Sequence, residues 1–229
     1  MGTIVPRLLN YLLLTPFYTR IFLKGEYGVI TELYAYAAFL LVLLTYGMET
    51  SFFRFSQTEK KSEEVYSTTL VSLLFSSSLF ILLILFFYRP IAGLIRYDAN
   101  PEYIIYFAFI IGLDAFTSIP FARLRQKEKA FRFALIKIIN VSVNIGLNLF
   151  FFILCPILFD KNPDNPLLIL YNPDFGIAYA FIPNLAASFI SLLLLLPDFV
   201  NIRWIYNRRL LSRMLSYALL TSYLNKDVS

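Results

Sequence analysis

Residues 66–88 read YSTTLVSLLFSSSLFILLILFFY, a run without a single charged side chain. A helix of about 20 mostly apolar residues crosses the hydrocarbon layer of a bilayer, so this stretch predicts a membrane-spanning helix. Blocks of this kind recur along the chain and predict about six spans: Val5–Phe22, Gly28–Met48, Tyr66–Tyr88, Ile104–Pro120, Phe133–Leu154 and Phe175–Leu196. Because the blocks do not alternate strictly between apolar and polar residues, we expect an all-α polytopic membrane protein and not a β-barrel.

The composition supports the same class. Hydrophobic residues make up 59% of the 229 residues and charged residues 15%, whereas soluble proteins average about 45–50% and about 25%. With Cys155 as the single cysteine and no histidine, an intrachain disulfide is impossible and cysteine or histidine metal sites are excluded, so we expect no cofactor. The pI of about 9.2 would fit nucleic acid, but most of the basic residues lie between or beyond the spans. We therefore expect the lipid bilayer, and no nucleic acid, as a partner.

The basic residues predict the orientation of the chain. Fifteen of the 20 lysines and arginines fall on one side of the predicted membrane, and the densest group is RLRQKEKAFR at 123–132. The positive-inside rule places this side, with both termini, in the cytoplasm. Residues 1–198 then form a six-helix lobe, and residues 199–229 form an amphipathic cytoplasmic tail. The loop 123–132 either only sets this topology or also contacts anionic lipid or a lipid phosphate.

The fifth predicted span carries a polar stripe. Asn140, Asn144 and Asn148 recur at intervals of four, and Lys137 precedes them by three, so all four share one helix face. Such a face either joins helices through amide hydrogen bonds or lines a hydrophilic cavity. Lys137 favours the cavity, because joining helices does not need a cation.

Charged residues also lie in other predicted spans. Asp114 lies in the fourth, and Arg7 lies near the start of the first with Asn10 beside it. Charges inside a membrane usually pair, so we expect Asp114 to pair with Lys137 or Arg7; proton coupling through Asp114 is a second possibility. Arg7 either faces protein or reaches up to the membrane surface.

The chain lacks the residue sets of the common enzyme classes. It has no histidine base, no glycine-rich phosphate loop and no DDxxD-type acidic cluster. The connections between the predicted spans are too short to hold a soluble catalytic domain. We therefore expect a protein that is not an enzyme.

Several short segments resemble one family in a fixed order. RLLNY (7–11), PFYTR (16–20), EYG (26–28), YGMET (46–50) and FRF (53–55) resemble the opening hairpin of bacterial polysaccharide flippases. These are the O-antigen (Wzx-type) exporters of the multidrug/oligosaccharidyl-lipid/polysaccharide superfamily. ARLRQ (122–126) and FRF (131–133) resemble the same family's loop between spans four and five. The resemblance covers most of the chain from Arg7 to Tyr217.

The resemblance implies a function and a set of site residues. A family member of this kind flips a lipid-linked oligosaccharide to the outer leaflet of the bacterial inner membrane by alternating access, for lipopolysaccharide or other surface polysaccharide, with proton or sodium coupling possible. The fold implied is one lobe of a MATE-like flippase around a central, often cationic cavity, which suits a diphosphate. With the residues from the helix patterns, the cavity candidates are Arg7, Asn10, Arg20, Arg54, Asp114, Arg123, Lys137, Asn140, Asn144 and Asn148.

The chain departs from the family pattern at both ends. The family has a further stretch before Arg7 and continues after Tyr217 into a second lobe, so we expect an N-terminal fragment in which residues 199–229 lead toward that lobe. Two other functions stay open: export of drugs or other small molecules within the same superfamily, and a membrane-bound polysaccharide polymerase.

Overall fold

The computed structural model describes residues 14–59, 61–162, 165–169, 171–200 and 204–224. Within these ranges the chain is helical and has no β-strand. Its helices are α1 (residues 14–21), α2 (Lys24–Thr45), α3 (Met48–Thr58), α4 (Ser62–Leu94), α5 (Glu102–Gln126), α6 (Ala130–Leu149), α7 (Cys155–Lys161), α8 (Ile182–Val200) and α9 (Arg208–Leu224). A π-helical segment, Phe150–Leu154, joins α6 to α7, and 3-10 segments at Pro166–Leu168 and Pro173–Ala180 precede α8.

Five described segments are long and apolar enough to cross a membrane: Lys24–Thr58, Ser62–Leu94, Glu102–Gln126, Ala130–Lys161 and Ile182–Val200. They confirm the all-α polytopic membrane class and correspond to the second through sixth predicted spans. The first predicted span begins within residues 1–13, which lie outside the described residues. Large apolar side chains such as Phe75 and Phe86 stay exposed on the outer surface, as expected where lipid replaces water.

The sixth span begins later than the hydropathy pattern predicts. The predicted start is Phe175, whereas the α-helix starts at Ile182. The backbone of Gly176 takes φ 46° and ψ −116°, which is not helical, and the side chain of Asn172 accepts a hydrogen bond from the backbone N–H of Asp174. These local features hold residues 173–180 in a kinked 3-10 segment, although the side chains are apolar enough for a span.

A sharp break separates α2 from α3. Tyr46 and Gly47 both adopt left-handed backbone conformations, with φ of 35° and 69°. Glycine reaches this region without steric cost, and a Cβ at Gly47 would lie 3.3 Å from the Cβ of Ala218 on α9. The break therefore redirects the chain and also leaves room for α9.

Helices α4 and α5 form the most extensive helix pair. A Cβ at Gly112 on α5 would lie 2.6 Å from Cδ1 of Ile81 on α4, so the missing side chain permits their close approach. We call the end of the bundle that carries the α5–α6 connection (residues 127–129) the basic end. A buried core lies near it, formed by Met48, Phe52, Tyr66, Leu70, Ile119, Leu124, Leu195 and Met214 together with neighbouring side chains.

Helix α9 folds back along α3. The Ser51 hydroxyl donates a 2.8 Å hydrogen bond to the carbonyl of Met214. Arg213 pairs with Glu59 at 2.9 Å, whereas Ala218 lies beside Gly47, so the two helices run in opposite directions. Residues 208–219 of the predicted tail are thus packed against the bundle; a following second lobe stays a prediction.

Candidate functional site: a polar cavity between α2, α5, α6 and α8

A cavity of about 590 Å³ lies between the inner faces of α2, α5, α6 and α8, and it also reaches the start of α3. We call it the polar cavity. Its apolar lining comes mainly from α2 and from two phenylalanines, Phe121 and Phe133. Its polar lining residues are Thr45, Glu49, Asp114, Thr117, Ser118, Arg125, Lys137, Asn140, Asn184, Ser188 and Ser191.

Helix α5 contributes one charged residue at mid-depth and one near its end. Asp114 lies 12 residues from each end of this 25-residue helix, and Ser188 of α8 donates a 2.7 Å hydrogen bond to its Oδ1. Arg125 lies 11 residues further on, about 16 Å along the helix. Eleven residues are close to three whole turns, so both side chains share one face, with Phe121 between them.

Lys137 enters the cavity from α6. Its ammonium nitrogen lies 3.9 Å from the centroid of the Phe121 ring, a distance at which a cation is attracted to the ring face. Lys137 also interacts electrostatically with Asp114. The structure therefore brings Asp114 and Lys137, one of the two pairs expected from the sequence, together in one cavity wall.

Glu49 and Arg125 face each other where the cavity reaches the basic end. Arg125 donates from Nη2 to Oε1 of Glu49, and the side chains are 36% and 41% exposed, respectively. Glu49 lies in the first turn of α3, so this ion pair links α3 to the last turn of α5.

The asparagine stripe of α6 divides between two environments. Asn140 lines the cavity and donates a 2.9 Å hydrogen bond to Ser191 of α8. Asn148 is fully buried outside the cavity lining, and it accepts a 2.6 Å hydrogen bond from the Tyr18 hydroxyl of α1. Its amide nitrogen donates to Asn144 at 3.0 Å. The two alternatives for the stripe thus both occur: Asn140 lines the cavity and also bonds α8, Asn148 joins α6 to α1, and Asn144 accepts a hydrogen bond from Asn148 within α6.

Arg123 lies outside the polar cavity lining, on the other side of α5. It is 7% exposed and donates from Nη2 to both carboxylate oxygens of Glu63 on α4, at 2.5 and 2.6 Å. Its Nη1 donates to the carbonyl of Asp198 on α8 at 3.4 Å. This placement fits a brace between α4, α5 and α8.

The other candidates lie outside the cavity lining or the described chain. Arg20 at the end of α1 and Arg54 on α3 are exposed and are not part of the cavity wall. Arg7 and Asn10 lie outside the described residues. Their assignment to a substrate cavity stays a prediction.

Helical spacing could have identified several cavity-lining residues that are absent from the candidates named from the sequence. Arg125 shares the face of Asp114, whereas Arg123 points half a turn away, so helical spacing distinguishes the two. On α8, Asn184, Ser188 and Ser191 recur at intervals of four and three and form the facing polar stripe. The pairing of Glu49 had no such signal, because its partner is 76 residues away.

Part of this helix bundle matches a known protein family. The model of a family described as polysaccharide biosynthesis protein matches residues 17–156. The chain belongs to this family. The matched range includes Asn140 and all four charged lining residues, Glu49, Asp114, Arg125 and Lys137. No curated protein and no solved structure matches the chain. Membership assigns this membrane protein to polysaccharide biosynthesis.

Proposed function

We propose that this chain is a lobe of a transporter that moves lipid-linked oligosaccharide across the bacterial inner membrane by alternating access, delivering it for surface polysaccharides such as lipopolysaccharide. The observation that carries the proposal is the polar cavity, which holds the cations Arg125 and Lys137 within a bundle of membrane helices. Asp114 of the same cavity lies at mid-depth, where placing a charge costs at least about 2.5 kcal/mol, so residues of this kind usually serve a pathway or a ligand.

The two cations suit the diphosphate that joins a polyprenyl lipid to a sugar chain. A guanidinium donates parallel hydrogen bonds to phosphate oxygens, and an ammonium acts as a compact positive charge. The amide of Asn140 and the hydroxyls of Ser118 and Ser188 in the same wall can bind sugar hydroxyls. A diphosphate and its first sugars therefore find complementary groups along one path.

The basic end is the cytoplasmic end in this proposal. It carries Arg123, Arg125, Lys127 and Lys129, and the positive-inside rule places such a group in the cytoplasm. The cavity reaches this end at Glu49 and Arg125, so a substrate made on the cytoplasmic leaflet can approach these residues first.

Among the alternatives, the family supports polysaccharide over drug export. The wall residues offer hydrogen bonds and charge but no histidine base, which supports binding and transport over catalysis, and we propose that the protein is not an enzyme. Asp114, beside Lys137, is the candidate for proton or sodium coupling.

Deletion of the gene in its native host separates transport from synthesis. We expect loss of surface polysaccharide together with accumulation of the lipid-linked oligosaccharide, because the cargo is made but not moved. Depletion of the lipid-linked oligosaccharide would contradict transport and indicate a synthetic step. Unchanged surface polysaccharide would contradict both roles.

Complementation of the deletion tests the cavity itself. Lys137→Ala should restore little surface polysaccharide at normal protein abundance, because it removes a cation from the cavity wall. Lys129→Ala removes the same charge from the exposed α5–α6 connection and should complement fully. Equal complementation by both variants would contradict a role for the cavity.

A further inference from the structure

We propose that Glu49 is a built-in competitor for the anionic group of the substrate: its carboxylate occupies the position on Arg125 that a phosphate takes when the ligand binds. The inference rests on the proposed function and adds to it a residue that sets the affinity of the site. It follows from the arrangement of charges in the polar cavity.

The guanidinium of Arg125 is already held in place for an anion. Its carbon lies 5.3 Å from the centroid of the Phe53 ring and 5.7 Å from that of Phe133. These two rings, from α3 and α6, flank the group, and its Nη2 donates to Glu49. A carboxylate and a phosphate present similar oxygen acceptors to a guanidinium, so a phosphate can bind Arg125 in the same way once Glu49 has moved aside.

The charged lining of the cavity is balanced. Two basic side chains, Arg125 and Lys137, are matched by two acidic side chains, Glu49 and Asp114. A diphosphate added to this cavity without any rearrangement would meet both acidic side chains. Binding therefore requires at least one carboxylate to leave its cation.

Glu49 is the carboxylate that yields. Asp114 lies at mid-depth and accepts a 2.7 Å hydrogen bond from Ser188, so displacing it would break a contact between α5 and α8. Glu49 lies at the basic end and is 41% exposed, so water can solvate it as soon as it leaves Arg125. Its position in the first turn of α3 also keeps the negative charge near the favourable end of the helix dipole.

The exchange also changes how α3 is held. The pair joins α3 to α5 just after the backbone break at Tyr46 and Gly47. When a phosphate replaces Glu49, α3 loses this contact, whereas its contacts with α9 through Ser51 and Glu59 remain. Binding of the anion therefore removes one tie between α3 and α5, whereas Met48 and Phe52 of α3 stay packed in the buried core.

Equilibrium binding to the full 229-residue chain in lipid nanodiscs tests the proposal. The probe is geranylgeranyl diphosphate, with geranylgeraniol as the uncharged control and inorganic pyrophosphate to separate a lipid-borne from a free diphosphate. Glu49→Gln keeps the side-chain shape and removes the charge, so it should bind the diphosphate lipid roughly fivefold more tightly than wild type. Arg125→Ala should bind it more weakly, and geranylgeraniol should not distinguish the variants.

Glu59→Gln is the matched control. Glu59 directly follows the same helix and pairs with Arg213, outside the polar cavity lining, so its neutralisation should leave the affinity unchanged. Glu49→Asp, whose carboxylate is one methylene shorter, should show intermediate affinity and provides a second variant if Glu49→Gln does not fold.

The outcomes separate the inference from the function on which it rests. Tighter binding by Glu49→Gln, with Glu59→Gln unchanged, supports the competitor role. Unchanged or weaker binding by Glu49→Gln and Glu49→Asp, together with weakened Arg125→Ala, overturns that role and leaves the diphosphate site standing. Absence of binding throughout, or equal binding by wild type and Arg125→Ala, overturns the diphosphate site as well. If Glu49→Gln binds inorganic pyrophosphate more tightly than wild type does but shows no gain for geranylgeranyl diphosphate, Glu49 competes with a free anion. That result contradicts the lipid-linked ligand.

Discussion

The guanidinium carbon of Arg123 lies 3.9 Å from the centroid of the Tyr66 ring, so the two side chains form a cation–π pair between α5 and α4. The Tyr66 hydroxyl donates a 3.2 Å hydrogen bond to the carbonyl of Asp198 on α8. The carboxylate of Asp198 pairs with Arg132 of α6 at 2.7 Å. One buried arginine thus lies at the centre of contacts that connect four helices at the basic end.

Replacement of Arg123 by alanine should destabilise the protein more than replacement of Arg125. Arg123 is buried, and its loss removes charged hydrogen bonds and ring contact, for an expected cost of roughly 2 kcal/mol. The pair of Arg125 with Glu49 is partly exposed and should contribute less than about 1 kcal/mol. Denaturant unfolding of the purified variants gives both values. Equal destabilisation by the two substitutions would contradict the brace.

A second prediction concerns Tyr18 and Asn148, whose 2.6 Å hydrogen bond joins α1 to α6. Both side chains are buried, so removing one partner leaves the other without this bond. A double-mutant cycle with Tyr18→Phe and Asn148→Ala should give a coupling energy of about 1 kcal/mol in unfolding experiments. Strictly additive effects would show that the bond does not hold α1 to the bundle.

The break between α2 and α3 predicts a glycine requirement. Gly47→Ala places a Cβ on a backbone with φ of 69° and brings it to 3.3 Å from Ala218, so we expect a loss of about 1 kcal/mol in unfolding free energy. Gly146→Ala is the matched control, because its added Cβ meets nothing within 4 Å and α6 is helical there. That control should be neutral or stabilising. An unchanged unfolding free energy for Gly47→Ala would contradict a fixed backbone break between α2 and α3.

The sequence alone predicts those parts of the fold and site that depend on local pattern. Long apolar blocks predicted the spans, because a helix that crosses lipid needs such a block whichever helices pack against it. Helical spacing grouped Lys137 with Asn140, and the structure places both in one cavity with Asp114.

Features that depend on distant contacts could not be predicted in this way. The separate environments of Asn140 and Asn148 depend on which helix packs at each depth of α6, because spacing places both on one face. Two arginines only two positions apart have different surroundings: Arg123 pairs with Glu63, whereas Arg125 pairs with Glu49. The resemblance to flippases made Arg123 a cavity candidate, whereas the arginine that lines the cavity is Arg125.

Cysteine accessibility tests the central claim most directly, namely that the polar cavity is hydrated and binds a diphosphate lipid. Cys155 is the only native cysteine and is buried, so Cys155→Ala gives a clean background for Ser118→Cys in the cavity and Leu82→Cys on the exposed apolar face of α4. Thiols react as thiolates, which need water. We predict that a charged thiol reagent labels Ser118→Cys rapidly and Leu82→Cys hardly at all, and that geranylgeranyl diphosphate, but not geranylgeraniol, slows the first reaction. Labelling of Ser118→Cys as slow as that of Leu82→Cys, or unaffected by the diphosphate, would contradict the account.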